Sequence, residues 1–600
     1  MKNTPNERIA ALRGLMRSRG IDVYIVCTED FHGSEYVGEY FKLREYLSGF
    51  TGSAGTLVVT AEEAALWTDG RYFLQAAEQL RGSFIALMKQ GVEGVPDIAE
   101  YLAQKLPEGG CIGFDGRTVG CSRVNTILKK CAAKHPVLSC GEDVGGHVWD
   151  NRPALSKQPV WELSEKYSGL SRAEKLKKIR EALKKQGADF LAVSALDETA
   201  WALNLRGNDV AYNPVFLAYM IVSERDVKLF AEQSIFSPEI KQGLKQDGVT
   251  LCAYDEVYSA LSALPEDKTL MIDPQSVNWR FMSCVPKNMK RAQCRSPIVL
   301  MKACKTEAEQ TGERLAHIKD GAAVTKFICW LKRSVSAEHI TEISAAQKLL
   351  EFRRQQENFL GESFDPIMGY GAHGAIVHYS ATPETDAELS PRGLLLSDTG
   401  AHYLEGTTDI TRTIALGEVT DEEKRAFTLV LAGHLELAAM KFPYGTRGAN
   451  LDAAARAPLW QHGLDFNHGT GHGVGHVLNV HEAPQRIHWR IRDGAQGAVF
   501  EAGMITSDEP GLYVEGKFGI RHENLLLCRE AEKTEYGQFL CFETLTLVPF
   551  DLDAVDARYL TDRQIELLNA YHKRVYDEIA PLVSADEARW LKQATRPVKK

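Results

Sequence analysis

Several features that would assign a protein to a class are missing from this sequence. The twelve cysteines include no Cys-x-x-Cys pair, which argues against a thiolate zinc site, and we expect free thiols in a reducing compartment. No run of about eighteen apolar residues occurs, so no membrane span is predicted. The first residues also lack the apolar core of a signal peptide. These absences predict a cytoplasmic protein with no membrane partner.

The chain also lacks an excess of positive charge and a serine nucleophile motif. It has 70 Lys and Arg against 80 Asp and Glu, a net charge of -10, so nucleic acid is not a predicted partner. No Gly-x-Ser-x-Gly occurs at a strand–helix turn, which argues against hydrolysis by a serine or cysteine nucleophile. The 600 residues are too many for one hydrophobic core, so several domains are expected.

A helix–strand unit near the N-terminus recurs further along the chain. Apolar residues at helical spacing in Arg8–Arg19 precede the apolar run Val23–Cys27, and Glu174–Lys185 likewise precedes Asp189–Val193. Near the end of each copy, an apolar strand runs into an aspartate, Asp115 or Asp273. We interpret the two segments as copies of one α/β domain, although two unrelated domains that share a common helix–strand unit are the alternative.

The predicted secondary structure changes near Lys302, from alternating helices and strands to long helices. Thr306–Arg333 and Ser336–Phe352 are predicted helices, the second with Ser336 as its N-cap, and short strands follow Gly361. The fold class is therefore α/β and α+β, in three domains: residues 1–150, residues 151–301, and a third domain at 302–600 with a C-terminal extension. Glycines and prolines between about 140 and 159 mark the first linker.

The densest cluster of reactive residues lies in His468–His476, where a glycine alternates with other residues, and His481 follows shortly after. Alternating glycines make a helix improbable, so this is not the helical His-Glu-x-x-His zinc signature. A glycine-rich dinucleotide loop would have to open a helix, which this segment does not. The segment is predicted to be a metal-binding or catalytic loop.

Carboxylates also stand within or beside predicted strands of the same domain. Asp398 and Asp409 flank a predicted hairpin, and two such carboxylates on one face repel unless a cation or a proton lies between them. Glu509 precedes a Pro-Gly turn, and Arg521 and Glu523 share one face of a strand while His522 faces the other way. Taken singly, each acid is better explained as a turn residue or an ion-pair partner than as a metal ligand.

Taken together, these residues resemble the creatinase/aminopeptidase family of metallopeptidases, whose catalytic domain has the pita-bread fold. The resemblance implies two creatinase-like α/β domains before that catalytic domain. It also implies two divalent metal ions, commonly Mn²⁺, and carboxylates with a single imidazole suit that ion. The implied metal ligands are Asp398, Asp409, His472, Glu509 and Glu523.

Further phrases resemble the large cytosolic Xaa-Pro aminopeptidases of this family, and they extend the resemblance over nearly the whole chain. They include Ser48–Gly55, Trp67–Tyr72 and the phrase around His378. The resemblance implies a homodimer that acts on peptides with N-terminal Xaa-Pro. The residues that it implies to contact the substrate are Arg71, His378, His472 and His481, and those implied in catalysis are His378, His468, His481, Glu509 and Arg521.

The implied reaction is attack of a metal-bridging hydroxide on the carbonyl before proline, with Glu509 shuttling the proton and His378 or His481 stabilising the oxyanion. Two alternatives stay open: a dipeptidase that cleaves Xaa-Pro, and an inactive peptidase-fold binding module. His476 and His522 have no expected role in the family pattern, His373 and His402 are interpreted as bystanders, and His32 has no assigned role.

Overall fold

The computed structural model describes residues 4–490 and 497–600. The chain divides into two compact units. The first comprises Met1–Leu163 and Leu170–Val299, and the second comprises Ser164–Gly169 and Leu300–Lys600. Among the described helices, none is long and apolar enough to cross a membrane. All twelve cysteines are free thiols.

The first unit begins with a six-stranded mixed sheet in the order β4-β3-β2-β1-β5-β6. Its central strand β1 is buried along its whole length, as expected for an apolar run covered on both faces. The strands are β1 (Val23–Cys27), β2 (Thr56–Thr60), β3 (Ala64–Thr68), β4 (Ile85–Lys89), β5 (Cys111–Gly113) and β6 (Val137–Ser139). The helices are α1 (Pro5–Ser18), α2 (Leu43–Ser48), α3 (Phe73–Gln79), α4 (Ile98–Lys105) and α5 (Cys121–Lys130).

A second sheet in the same unit has the order β12-β11-β10-β8-β13-β14. The strands between residues 161 and 293 are β7 (Trp161–Glu162), β8 (Phe190–Val193), β9 (Leu205–Arg206), β10 (Ala218–Ser223), β11 (Val227–Ala231), β12 (Val249–Cys252), β13 (Thr269–Ile272) and β14 (Lys290–Gln293). The helices of this segment are α7 (Arg172–Lys185), α8 (Leu196–Leu203), α9 (Pro238–Gln246), α10 (Glu256–Ser262), α11 (Trp279–Ser283) and α12 (Pro297–Ala303), which runs past the boundary at Leu300. The short helix α6 (Glu165–Ser168) belongs to the second unit.

The two sheets have the same pairing pattern. In each, two antiparallel pairings at the centre are flanked by parallel pairings. The predicted recurrence of one helix–strand unit is thus a recurrence of topology, and the two α/β domains are related. The predicted boundary at residue 150 stays a prediction, since both sheets belong to one compact unit.

The second unit contains the long helix α13, whose buried face carries polar residues. Its helices are α13 (Glu307–Ser334), α14 (Glu342–Arg354), α15 (Asp421–Ala438), α16 (Gly448–Trp460), α17 (Asp562–Ile579) and α18 (Ala585–Ala594). Glu309, Glu313, His317 and Asp320 of α13 are all buried, and their spacing of three or four residues places them on one stripe. This stripe faces the strands that follow.

The predicted start of the next helix is wrong. Ser336 was expected to cap it, but the helix begins at Glu342 with Thr341 as its N-cap. The Thr341 hydroxyl accepts a hydrogen bond from the Ser344 amide at 3.2 Å, and the Ser344 side chain accepts from the Thr341 amide at 2.8 Å. Two reciprocal bonds of a capping box outweigh a lone serine earlier in the chain.

The strands described in the second unit form three sheets and a hairpin, in the orders β15-β18-β19, β16-β17-β20, β21-β28-β27-β24-β22-β23 and β25-β26. The first strands are β15 (Phe359–Glu362), β16 (Ile367–Tyr370), β17 (Leu394–Thr399), β18 (Ala401–Tyr403), β19 (Gly406–Thr407) and β20 (Ile410–Ala415). The others are β21 (Lys441–Pro443), β22 (Gly471–Gly473), β23 (Glu482–Ile487), β24 (Ile505–Asp508), β25 (Gly511–Val514), β26 (Phe518–Arg521), β27 (Asn524–Thr534) and β28 (Gly537–Thr544).

An ion pair buried between α13 and α14 supports the end of β17. Asp320 accepts hydrogen bonds from Arg353 at 2.8 and 3.0 Å, and both side chains are fully buried. Asp320 also accepts from Thr408 at 2.6 Å and Tyr403 at 3.1 Å, while Arg353 donates to the Gly400 carbonyl. Every contact therefore lies beside the β17–β20 connection.

Candidate metal centre

Asp398 and Asp409 approach each other because β17 and β20 run antiparallel. Asp398 lies opposite Thr411, two residues beyond Asp409, so the two aspartates are diagonal neighbours rather than directly opposed. The short hairpin β18–β19 occupies the connection, as predicted from Tyr403 to Gly406. Both carboxylates are buried.

His472 lies in the short strand β22, and Glu509 directly follows β24 of the same sheet. The His472 Nδ1 lies 3.0 Å from the Gly473 carbonyl, to which it donates, so Nε2 is the ring nitrogen that faces the carboxylates. That Nε2 lies 3.5 Å from Asp409 Oδ2 and 3.6 Å from Glu509 Oε1. The strand order thus points the second imidazole nitrogen between two carboxylates, where it can bind a cation once it is deprotonated.

Arg521 and Glu523 occupy the junction of β26 and β27, where both side chains are buried. Arg521 donates to Asp398 Oδ2 from Nε at 3.1 Å and from Nη2 at 2.5 Å. Glu523 Oε2 accepts from the Thr411 hydroxyl at 2.6 Å. Arg521 therefore contacts β17, the strand that carries Asp398. Glu523 contacts β20, the strand that follows Asp409.

The carboxylates and the imidazole have the donor set and geometry of a divalent metal site. Ligand atoms of Asp409, His472 and Glu523 all lie within 4.8 Å of one another. Asp398 Oδ1 and Glu523 Oε1 are buried without a hydrogen-bond partner, so each has a lone pair available for a cation. The residues present fit a metal centre.

The electrostatics of the cluster point the same way. Burial raises the pKa of Asp398 and raises that of Glu509 to about 7, and it raises the pKa of Glu523 well above its usual range. Burial lowers the pKa of His472, but Asp409 and Glu509 outweigh it and raise the value to about 9. Cations between these groups would offset the cost of burying the carboxylates and the repulsion among them, which adds to the rise in their pKa values.

Partly exposed histidines border the buried acids. The rings of His472 and His481 lie 4.3 Å apart, and His378 follows Val377, whose carbonyl accepts from Arg521 at 3.3 Å. His378, His468, His472, His481 and Glu509 are partly exposed, whereas Asp398, Asp409, Arg521 and Glu523 are buried. The site therefore opens to solvent on its histidine side.

Tyr513 was not predicted as a site residue. Its hydroxyl lies 2.7 Å from His468 Nε2 and accepts from Arg521 Nη1 at 2.7 Å. A tyrosine in an ordinary strand carries no sequence signal of such a role, because the contact depends on the β25–β26 pairing that sets Gly511 opposite Arg521.

Arg71 lies in the first unit. It pairs with Asp69 at 2.8 Å and with Glu35 at 3.4 Å. Its predicted contact with a substrate stays a prediction.

The histidines without an assigned role are packed inside the units. His32 Nδ1 lies 2.7 Å from the Ser194 carbonyl, and its Nε2 lies 2.6 Å from the Tyr254 hydroxyl. These contacts join the two α/β domains of the first unit. His402 contacts the Thr407 hydroxyl at 3.0 Å, and His522 packs against Phe427 and Phe550. His476 contacts Glu313 at 2.9 Å.

His373 gives a pH-dependent contribution to stability. A hydrogen bond that His373 donates to the buried Glu342 raises the pKa of His373, so the folded state binds the proton more tightly than the unfolded state. This contribution is complete below the unfolded pKa, about 6.5, and is lost as the pH rises through the higher folded value. We expect His373→Gln to cost more stability at pH 5.5 than at pH 8.5, measured by urea unfolding. An equal cost at both pH values would contradict this.

Family models match the chain along most of its length. The model described as metallopeptidase family M24 matches residues 312–530, and the C-terminal region of this peptidase matches residues 538–598. Two models of the creatinase/prolidase N-terminal domain match residues 8–142 and 151–309. The fold is therefore two creatinase N-terminal domains followed by a pita-bread catalytic domain and its C-terminal region.

Relatives and one solved structure match over the full length. Aminopeptidase P2 of Arabidopsis thaliana is 40% identical, over 99% of this chain and 89% of its own. Xaa-Pro aminopeptidase 1 of Dictyostelium discoideum is 38% identical, over 99% and 96%. The crystal structure of X-prolyl aminopeptidase from Caenorhabditis elegans, described as a cytosolic enzyme with a di-nuclear active site, is 35% identical with a TM-score of 0.95, over 99% and 100%.

Proposed function

Because this chain belongs to metallopeptidase family M24, we propose that it is an aminopeptidase that releases the N-terminal residue from peptides with proline in the second position. Its similarity to proteins named Xaa-Pro aminopeptidase extends over 99% of the chain. The observation that carries the proposal is the convergence of Asp409, His472 and Glu523 on one point, with Asp398 and Glu509 beside them.

The proposed holders of two divalent metal ions are Asp398, Asp409, His472, Glu509 and Glu523, and Mn²⁺ is the proposed ion. Four carboxylates with one imidazole favour Mn²⁺ over metals that prefer thiolates. When bound, such cations supply Lewis acidity that polarises a carbonyl and activates water near neutral pH.

The chain's own groups would orient the peptide and handle its protons. Glu509 is partly exposed beside His472, where its carboxylate can accept a proton from water and deliver it to the leaving nitrogen. His378 and His481 are the proposed donors to the developing oxyanion, with His468 held by Tyr513 at the same border. Arg521 neutralises Asp398 and fixes its orientation.

Selectivity for proline follows from its tertiary amide. The bond before proline has no N–H, so a site selective for it needs no acceptor at that position and can exclude water with a close-fitting pocket. Arg71, His378, His472 and His481 are the proposed substrate contacts.

The proposal is tested with Mn²⁺-loaded protein and three matched peptides. Xaa-Pro-Yaa should be cleaved after the first residue, Xaa-Ala-Yaa should be cleaved far more slowly, and Xaa-Pro should not be the preferred substrate. Cleavage of the dipeptide alone would identify a dipeptidase instead. Metal binding without any cleavage would identify an inactive binding module.

Removal of the metal should abolish activity and lower the melting temperature. Bound cations stabilise only the folded site, and at about 100 times the dissociation constant this amounts to about 2.7 kcal/mol. We expect the melting temperature of chelator-treated protein to rise on addition of Mn²⁺, in parallel with the recovered rate. A rate that survives complete chelation, checked by elemental analysis, would refute the metal dependence.

A homodimer and a cytoplasmic location are also proposed, on the resemblance to the large Xaa-Pro aminopeptidases. The worm relative described above is a cytosolic enzyme. Analytical ultracentrifugation should give twice the chain mass of 66.6 kDa, and a single-chain mass would refute the dimer.

A further inference from the structure

Glu313 is a buried carboxylate of α13 that lies outside the set of candidate metal ligands. Its side chain is 1% exposed. Burial raises its pKa well above the usual range, while Lys305 acts in the opposite direction. A carboxylate in such surroundings is costly unless its oxygens are satisfied. Its partners therefore indicate why the position carries an acid.

One partner belongs to the strand that leads to Asp409. The Thr407 amide lies 3.3 Å from both Glu313 oxygens, and Thr407 ends β19, two residues before Asp409. The approach is so close that a Cβ at Gly406 would lie 2.5 Å from the Glu313 carboxyl carbon. The carboxylate thus fixes the backbone of this hairpin directly.

The other partner belongs to the loop between His472 and His481. His476 Nδ1 lies 2.9 Å from Glu313 Oε1, and the His476 side chain is 2% exposed. Within this loop, Val477 has a φ of 48°, a left-handed conformation that a β-branched residue rarely adopts. Such a conformation persists only when surrounding contacts enforce it. The contact between Glu313 and His476 is one of those that hold the loop in place.

We propose that Glu313 is a positioning residue that couples two parts of the metal centre through His476 and Thr407. One carboxylate holds the loop that joins His472 to His481 and also the hairpin that leads to Asp409. Through this carboxylate, α13 sets the distance between two proposed ligands, Asp409 and His472. Their Oδ2 and Nε2 atoms lie 3.5 Å apart. The inference rests on the proposed function only where its test measures kcat/KM. Outer contacts of this kind typically change metal affinity or activity by about 10- to 100-fold.

The test compares Mn²⁺ affinity of metal-stripped full-length protein across variants by titration calorimetry. Glu313→Ala and His476→Ala should each weaken Mn²⁺ binding by about 10- to 100-fold, with a similar loss of kcat/KM on Xaa-Pro-Yaa. Glu313→Gln should retain most of the affinity, because its shape is kept and one oxygen can still accept from both partners. The double alanine variant should bind Mn²⁺ no more weakly than Glu313→Ala alone, since that substitution already removes the contact with His476 as well as the one with Thr407.

A matched control lies one turn earlier on α13. Glu309 is also buried, but its carboxylate accepts from the Thr306 amide at the helix N-terminus. Glu309→Gln should leave Mn²⁺ affinity unchanged. Thermal unfolding of the metal-free variants identifies any general loss of stability, which would lower the midpoint without changing the affinity of the folded fraction.

Three results would overturn the inference: unchanged Mn²⁺ affinity in folded Glu313→Ala or His476→Ala, losses that multiply in the double variant, or an equal loss in Glu309→Gln. If Glu313→Ala does not fold, His476→Ala and Glu313→Gln still decide between the outcomes. A wild-type protein that binds Mn²⁺ but cleaves no Xaa-Pro-Yaa peptide would refute the proposed function, and the affinity measurements would still test the role of Glu313.

Discussion

Glu523→Gln should reduce kcat/KM on an Xaa-Pro-Yaa peptide by about 10³-fold or more. The substitution keeps the shape and the hydrogen bond from Thr411, but it removes the negative charge and one oxygen ligand at the point where Asp409, His472 and Glu523 converge. A loss of about 4 kcal/mol in transition-state stabilisation corresponds to that factor. Steady-state kinetics at saturating Mn²⁺ measure it.

A matched control lies on β27, the strand that begins directly after Glu523. Glu530 is exposed on β27, and Glu530→Gln removes the same charge without touching the cluster, so its rate should equal that of the wild type. Elemental analysis should find less metal bound to Glu523→Gln than to the control. A Glu523→Gln protein that retains both its metal content and its rate would exclude Glu523 as a ligand.

Asp320→Ala should lower the free energy of unfolding by about 3–5 kcal/mol. It leaves the Arg353 guanidinium fully buried without its counter-ion, and removal of one partner of a buried pair is costly for that reason. The hydroxyls of Thr408 and Tyr403 also lose their acceptor. Denaturant unfolding of the metal-free protein measures the change.

An exposed ion pair provides the comparison for this effect. Lys573 and Asp577 pair on α17 with side chains 77% and 52% exposed, and solvent screens such a pair. Asp577→Ala should therefore leave stability nearly unchanged. Equal effects of Asp320→Ala and Asp577→Ala would show that burial of Arg353 does not govern the cost.

Much of the fold could be predicted because local patterns were strong and independent of distant contacts. The helix–strand unit at Arg8–Cys27 and its recurrence at Glu174–Val193 rest on hydrophobic periodicity, and both copies form strands of matching sheets. The start of α14 could not be predicted as reliably, because Ser336 and Thr341 are both good N-caps. The choice between them depends on which capping box closes.

Part of the candidate site could likewise be predicted from the sequence, and part could not. Asp398, Asp409, His472, Glu509 and Glu523 stand in distinctive phrases, and the structure brings them together, although their roles remain predictions. Tyr513, Glu313 and His476 could not be found in this way. Their contacts depend on sheet pairing and on the packing of α13, neither of which leaves a trace in the local sequence.

The pairing of Arg521 with Asp398 has a consequence for how the molecule assembles. The two residues are 123 positions apart in the chain, and this contact lies at the heart of the site. Contacts between such distant segments form late, because the chain between them must first lose its freedom. During refolding from denaturant, the helical circular dichroism signal should therefore recover ahead of peptidase activity. The recovery of activity then reports the rate of the last step of folding.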